Sequence, residues 1–158
     1  VTTRMALYMR TYFQMDLVQS SNYVTYFFIC LLAGRLLFTL KSFNISLKFQ
    51  MSCSLVLSMF FLIAGMWIHP MFLPVVGLSM APFYPLSLVY ISNLVGNQKR
   101  RFFTFVMGFQ SICVIFMHLF VGYLTDLFGL FNAFYFGIVL ILISLICLNF
   151  HPKPSLNS

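Results

Sequence analysis

The chain contains no glutamate, and its only acidic residues are Asp16 and Asp126. Charged residues of both signs make up 7% of the sequence, where ordinary soluble domains carry about 25%. A water-facing surface cannot be built from so few charges. No paired carboxylates, nucleophile–base constellation or phosphate-cradling glycine loop is visible, so the chain does not read as an enzyme. Cys30, Cys53, Cys113 and Cys147 stand alone in apolar segments, without CxxC spacing or a histidine cluster. Neither a disulfide framework nor a metal site is supported, and no cofactor is expected. The N-terminus has no signal-peptide pattern. It begins at Val1 and enters mid-pattern, which reads as a fragment.

What the chain has in abundance is hydrocarbon. Hydrophobic residues make up 61%, with 21 phenylalanines and 10 methionines. The solvent for most of this surface is lipid, and an all-α integral membrane protein is expected. A net charge of +7 would point to nucleic acid in a soluble domain. Here the basic residues are scattered or stand between apolar runs, so they read as topology signals and no nucleic-acid partner is expected.

A spanning helix needs about 20 apolar residues, and five stretches qualify: about 22–40, 49–68, 71–93, 102–124 and 131–150. The second and third are separated only by Trp67-Ile68-His69-Pro70. Pro70 should stop one helix and start the next, with Trp67 as an interfacial anchor. Spans two and five are the most uniformly apolar and suit outer, lipid-facing positions. Residues 1–21, with Arg4, Arg10 and Asp16, are too polar and too short for a full span. They read as the end of a preceding helix and a loop near Asp16–Ser21. Residues 22–150 are the spans, and 151–158 a polar, unstructured tail.

If the spans alternate, Lys41, Lys48, Lys99, Arg100, Arg101 and Lys153 fall on one side. Asp16, His69 and Asp126 fall on the other, with Arg10. The positive-inside rule then makes the 41–48 loop, the 97–101 loop and the C-terminus cytoplasmic. The setting is a bacterial inner membrane or a plasma membrane.

Span one carries Gly34-Arg35. Span three carries Ala81-Pro82-Phe83-Tyr84-Pro85. Span four ends in Gly122-Tyr123-Leu124-Thr125-Asp126, followed by Phe128-Gly129. In this order the motifs resemble the C-terminal half of a major facilitator superfamily transporter, most like the fucose permease group of sugar–proton symporters. There the eighth span holds a Gly-Arg pair, the tenth a Tyr-Pro motif, and the eleventh ends in Gly-x-x-x-Asp-x-x-Gly. The resemblance covers nearly the whole chain but only half of a transporter. It implies that residues 1–20 end span seven, that the five spans are eight to twelve, and that an N-terminal half is the partner. The family often has glycines and a proline in the middle of the eleventh span. Ile112 to Leu119 has neither, which predicts a stiffer helix.

Arg35 is a charge deep in a span, and the translocon cost of Arg at a helix centre is about 2.5–3.5 kcal/mol. It reads as an anchor snorkelling towards Lys41, a gating element or a substrate contact, with Gly34 allowing close helix approach. Pro82 and Pro85 should kink span three, which membrane helices tolerate where neighbours satisfy the freed carbonyls. Such bends form gates and sites in transporters. Tyr84 offers a solute pocket an aromatic face and a hydroxyl, or packs on a neighbouring helix. Gly77 and Ala81 form a small-xxx-small pair for packing. Gln110, Val114 and His118 share one helical stripe in span four. Gln110 and His118 are candidate solute contacts, His118 also a candidate for proton movement; the alternative is an interhelical contact. Gly122 and Asp126 read as the span-four exit, Asp126 as a cap or a gating charge.

Three functions compete. The first is secondary transport of a small polar solute, for instance a sugar with protons, by rocking of two bundles about a midplane site. The second is an incomplete or remnant membrane protein with a structural or assembly role. The third is an unrelated small membrane protein, which predicts that spans one, three and four do not surround a common cleft.

Overall fold

The computed structural model describes residues 2–40, 45–95 and 99–150. The expected loop residues 41–44 and 96–98 and the tail 151–158, with Lys41 and Lys153, lie outside the described residues. Every element among the described residues is an α-helix: α1 Thr2–Phe13, α2 Leu17–Leu40, α3 Leu47–Trp67, α4 Phe72–Met80, α5 Phe83–Val95, α6 Lys99–Phe128 and α7 Leu130–Phe150. In lipid a backbone must satisfy its own hydrogen bonds, and a helix does so within one segment. Five helical stretches among the described residues are long and apolar enough to cross a membrane, as expected of a multi-pass membrane protein.

The boundaries follow local chemistry. α1 ends where Gln14 takes a left-handed conformation with φ 50°, and the Met15 amide reaches back to the Met9 carbonyl. The loop expected over Asp16–Ser21 is shorter than that. Asp16 caps α2 directly: its Oδ1 accepts the Leu17 amide at 2.7 Å, and its carbonyl accepts the Ser20 amide at 2.9 Å. An aspartate at this position satisfies orphan amides and nucleates the helix, so α2 starts at Leu17 and residues 17–21 are its first turn. Ser46 caps α3 by accepting the Phe49 amide, three residues on.

The expected break at His69-Pro70 is present. The Ile68 and His69 amides both close on the Ala64 carbonyl, and His69 Nδ1 accepts the Met71 amide at 3.2 Å. Span three is broken at Ala81-Pro82 into α4 and α5. Proline at 82 removes the donor for the Leu78 carbonyl, and proline at 85 the donor for the Ala81 carbonyl. The helix resumes at once, with the Leu86 amide on the Pro82 carbonyl.

Successive spans, with α4 and α5 counted as one, alternate in direction. One end of the bundle holds Asp16, Trp67 and Asp126, and the other holds Lys48, whose Nζ stands 5.8 Å from the Tyr90 ring centroid. At the acidic end an aromatic cluster ties α1 to α7 and α3. Tyr8 lies 4.7 Å from Phe134 and 6.3 Å from Phe131, and Trp67 meets Phe131 edge-on at 6.2 Å. Such rings add packing energy beyond the area they bury.

The centre of the bundle differs from expectation. Span two, expected at the periphery, is α3, the most buried of the five: 44% of its apolar window is buried, against 22% for α7 and 0% for α6. It packs on α4, α5 and α7. The physical reason is a buried serine cluster. Ser54 Oγ donates to the Ser79 carbonyl, Ser58 Oγ to the Ser54 carbonyl at 2.7 Å, and the Ser58 and Ser79 hydroxyls meet at 2.9 Å. These groups need partners away from lipid and draw α3 onto α4. Against the other face of α4 lies α2, held close by glycine. A Cβ on Gly34 would come 2.5 Å from Ala81 Cβ, and one on Gly77 2.6 Å from the Phe27 carbonyl. Gly77 and Ala81 thus serve packing. α6 packs on α7, where Phe120 meets Phe136 at 5.2 Å, and touches α5.

Candidate functional site

α6 lies at the edge of the bundle, and its centre carries Gln110 and His118 on largely exposed backbone turns. The two side chains are eight residues apart, about 12 Å along the axis, and the helical period returns them to one stripe. Both line an open cavity of about 290 Å³, together with Cys113, Val114, Met117 and Val121. The opposite wall comes from α1, through Arg4.

Arg4 was not among the residues singled out from the sequence, and the fold makes it the centre of the site. It stands nine residues before the end of α1 at Phe13, about 13–14 Å along the axis from the acidic end. His118 is ten residues before the end of α6, about 15 Å from the same end. A bilayer core is about 30 Å thick, so both lie near mid-depth. The neighbours of Arg4 on α1, Met5, Tyr8 and Met9, are fully buried in the core. The aromatic cluster fixes this helix, and Arg4 turns towards α6. Its guanidinium lies against Gly122, where an added Cβ would be 3.2 Å from Nη2. It also borders a smaller cavity of about 100 Å³ between α3, α6 and α7. Among the described residues Arg4 forms no hydrogen bond or ion pair. The signal in the sequence is an arginine immediately before Met-Ala-Leu-Tyr-Met, in a stretch too short to count as a span.

The other candidate residues divide between packing and the site. Tyr84 does not line the cavity. Its hydroxyl donates to Met107 Sδ at 3.2 Å, which makes the α5–α6 contact. Met107 is one turn from Gln110 on α6, and Ser111 Oγ donates to the Met107 carbonyl at 3.1 Å. Gly34 and Pro82 border a different cavity of about 360 Å³ with Phe38, Phe49, Phe61 and Leu78. Its walls are nearly all hydrocarbon and offer a polar solute little. Pro85 is exposed in the first turn of α5. Arg35 is exposed on α2, five residues from its end at Leu40.

Gly122 belongs to the site through Arg4. Asp126 does not cap α6. The helix ends at Gly129, in a left-handed conformation with φ 82° and its amide on the Thr125 carbonyl at 3.0 Å. Glycine adopts this geometry at helix C-termini without steric cost. Asn132 Nδ2 adds a bond to the Phe128 carbonyl at 2.8 Å. Asp126 is exposed in the last turn, where the helix dipole gives a carboxylate no support.

Spans one, three and four do not close around one cleft. α2 packs directly on α4, and α6 stands beside α7 and α5. The polar cavity lies instead between α1 and α6, and one of its sides is open. No family model, curated protein or solved structure matches the chain.

Proposed function

We propose that the chain is one bundle of a secondary transporter for a small polar solute, with the α1–α6 cavity as half of the solute path. The observation that supports this reading is that Arg4 and His118, near mid-depth, line one cavity with Gln110. Polar and charged side chains inside a span are costly and mark solute or ion pathways. Pockets for small solutes are largely apolar with a few placed polar groups, and this cavity has that composition. The break at Ala81-Pro82 supplies the bent helix that such proteins use near their sites. The motif resemblance supports reading the bundle as the C-terminal half of a major facilitator fold, facing an N-terminal half, with proton-coupled sugar uptake as the finer form of the proposal.

The test is uptake into proteoliposomes. Labelled polar solutes, sugars first, should accumulate only when the chain is reconstituted together with an N-terminal half-transporter bundle. Uptake by the chain alone would show that it is not half of a transporter. Absence of uptake in both preparations would remove the transport reading.

A second reading is favoured by the packing of α6. No residue in its apolar window is buried; that spans one, three and four share no cleft is the arrangement expected of an unrelated small membrane protein. An assembly or structural protein would present such a face to another membrane helix. Its mark is a stable complex that forms without any solute and is unaffected by changes at Arg4, Gln110 and His118.

A further inference from the structure

We propose that the α1–α6 cavity takes a small hydroxyl-bearing monocarboxylate, such as a sugar acid, and that Arg4 holds the carboxylate. The inference rests on the reading of this cavity as a solute site and goes further by assigning the charge of the solute.

The argument starts from the cost of Arg4. A guanidinium stays protonated in any protein environment. Removing it from water without a partner is expensive, and buried charges are paired or hydrogen-bonded as a rule. The chain has just two side-chain carboxylates, Asp16 and Asp126. Asp16 caps α2 at the end of the bundle, and Asp126 is exposed in the last turn of α6. Neither pairs with Arg4. Arg4 instead lines a cavity, with its guanidinium resting against Gly122. An anion entering that cavity would supply the missing charge.

The donor set selects among anions. One guanidinium offers a planar fork of N–H groups that matches a carboxylate with two parallel bonds. His118, one turn from Gly122, adds a nitrogen pair, and Gln110, about 18 Å along α6 from Gly122, offers a donor and an acceptor at the far end of the cavity. These are groups that read hydroxyls. One fixed positive charge balances a monoanion. A volume of about 290 Å³ has room for a small molecule. Cys113, Val114 and Met117 supply the apolar wall for its carbon skeleton.

The experiment uses the chain in lipid nanodiscs and three probes: glucuronate, glucose and inorganic phosphate. Glucuronate and glucose are nearly matched in size and differ in the carboxylate. Glucuronate should bind at least tenfold more tightly than glucose or phosphate. Arg4→Gln should remove that preference, a loss on the order of ten- to a hundredfold for a charge-assisted pair. Arg4→Lys should retain part of it, and Arg10→Gln should leave it intact. Circular dichroism of each variant checks that the helices persist. If glucose binds as well as glucuronate, with Arg4→Gln harmless and Gln110→Ala harmful, the solute site stands and its anionic character is wrong. Preference for phosphate overturns the monocarboxylate assignment. If no probe binds, the assignment and the solute-site reading fall together.

Discussion

Arg4 and Gly122 form a matched pair across α1 and α6: a methyl group on Gly122 would stand 3.2 Å from Arg4 Nη2. The contact is with the far end of a flexible side chain, so a small group can be accommodated by a slight shift. Gly122→Ala should therefore weaken solute binding only a few-fold. Gly122→Leu should fill the space beside the guanidinium and reduce binding at least tenfold. Neither change touches the packed core, so unfolding free energy should stay within about 0.5 kcal/mol of the parent. Binding in nanodiscs and denaturant unfolding in bicelles measure the two effects separately. Equal binding by all three proteins would remove Gly122 from the site.

Gly34 is under a different constraint. An added Cβ would meet Ala81 Cβ at 2.5 Å and the Leu78 carbonyl at 2.9 Å. The carbonyl belongs to backbone that cannot yield as a side chain tip does. Leu78 is also the residue whose carbonyl lost its helical donor to Pro82. Gly34→Ala should cost about 1–3 kcal/mol, as overpacking of a close interface does. Adding Ala81→Gly removes the nearer clash and should restore part of the loss. Unfolding of the single and double variants in bicelles tests this. A neutral Gly34→Ala would mean that α2 and α4 are not held this closely.

The span boundaries were legible because the hydrocarbon thickness sets a length, and because Pro70 and the Pro82–Pro85 pair act on the backbone wherever they occur. The place of each helix in the bundle was not. Phe, Leu and Ile look the same in a sequence whether they face lipid or a neighbouring helix. α3 reads as uniformly apolar, yet Ser54 and Ser58 put it at the centre of the bundle. α6 carries the polar residues and stands at the edge. Hydropathy also hid the role of residues 1–20, because a twelve-residue helix is too short to register as a span. Asp16 is a helix-start residue, but the polar stretch around it reads as loop. Gln110 and His118 could be paired from their spacing. Their partner Arg4 lies more than a hundred residues away, and only tertiary packing brings it to them.

The serine cluster should carry part of the α3–α4 interface energy. Ser54 Oγ serves the Ser79 carbonyl, in the turn before the proline break. Ser58 and Ser79 have two protons for three contacts, since Ser58 Oγ also donates to the Ser54 carbonyl and Ser79 Oγ to the Val76 carbonyl at 3.0 Å. The contact between the two hydroxyls is therefore the one that can be given up. Ser54→Ala should cost about 0.6–1.7 kcal/mol, the range measured for interhelical hydrogen bonds in membranes. Ser79→Ala should cost less, because its carbonyl keeps the bond from Ser54. The reverse order in unfolding measurements would place the weight of the interface elsewhere.

Cys113 gives a direct reading of whether water reaches the α1–α6 cavity. Its thiol lines that cavity beside Gln110 and His118. Cys147 is equally exposed on the protein surface, but it lies on α7 in a helix with little polar character, where the surrounding solvent is lipid. A charged, membrane-impermeant thiol reagent reacts with thiolates, and thiolates form where water is present. With the other two cysteines replaced by alanine, Cys113 should be modified at least tenfold faster than Cys147 in intact proteoliposomes, and the two rates should converge after unfolding. Glucuronate should protect Cys113 and leave Cys147 unchanged, because the bound solute would lie against the same wall. Equal slow rates for both thiols would mean that lipid fills the cavity, and Arg4 would then face hydrocarbon without any aqueous path for a solute to reach it.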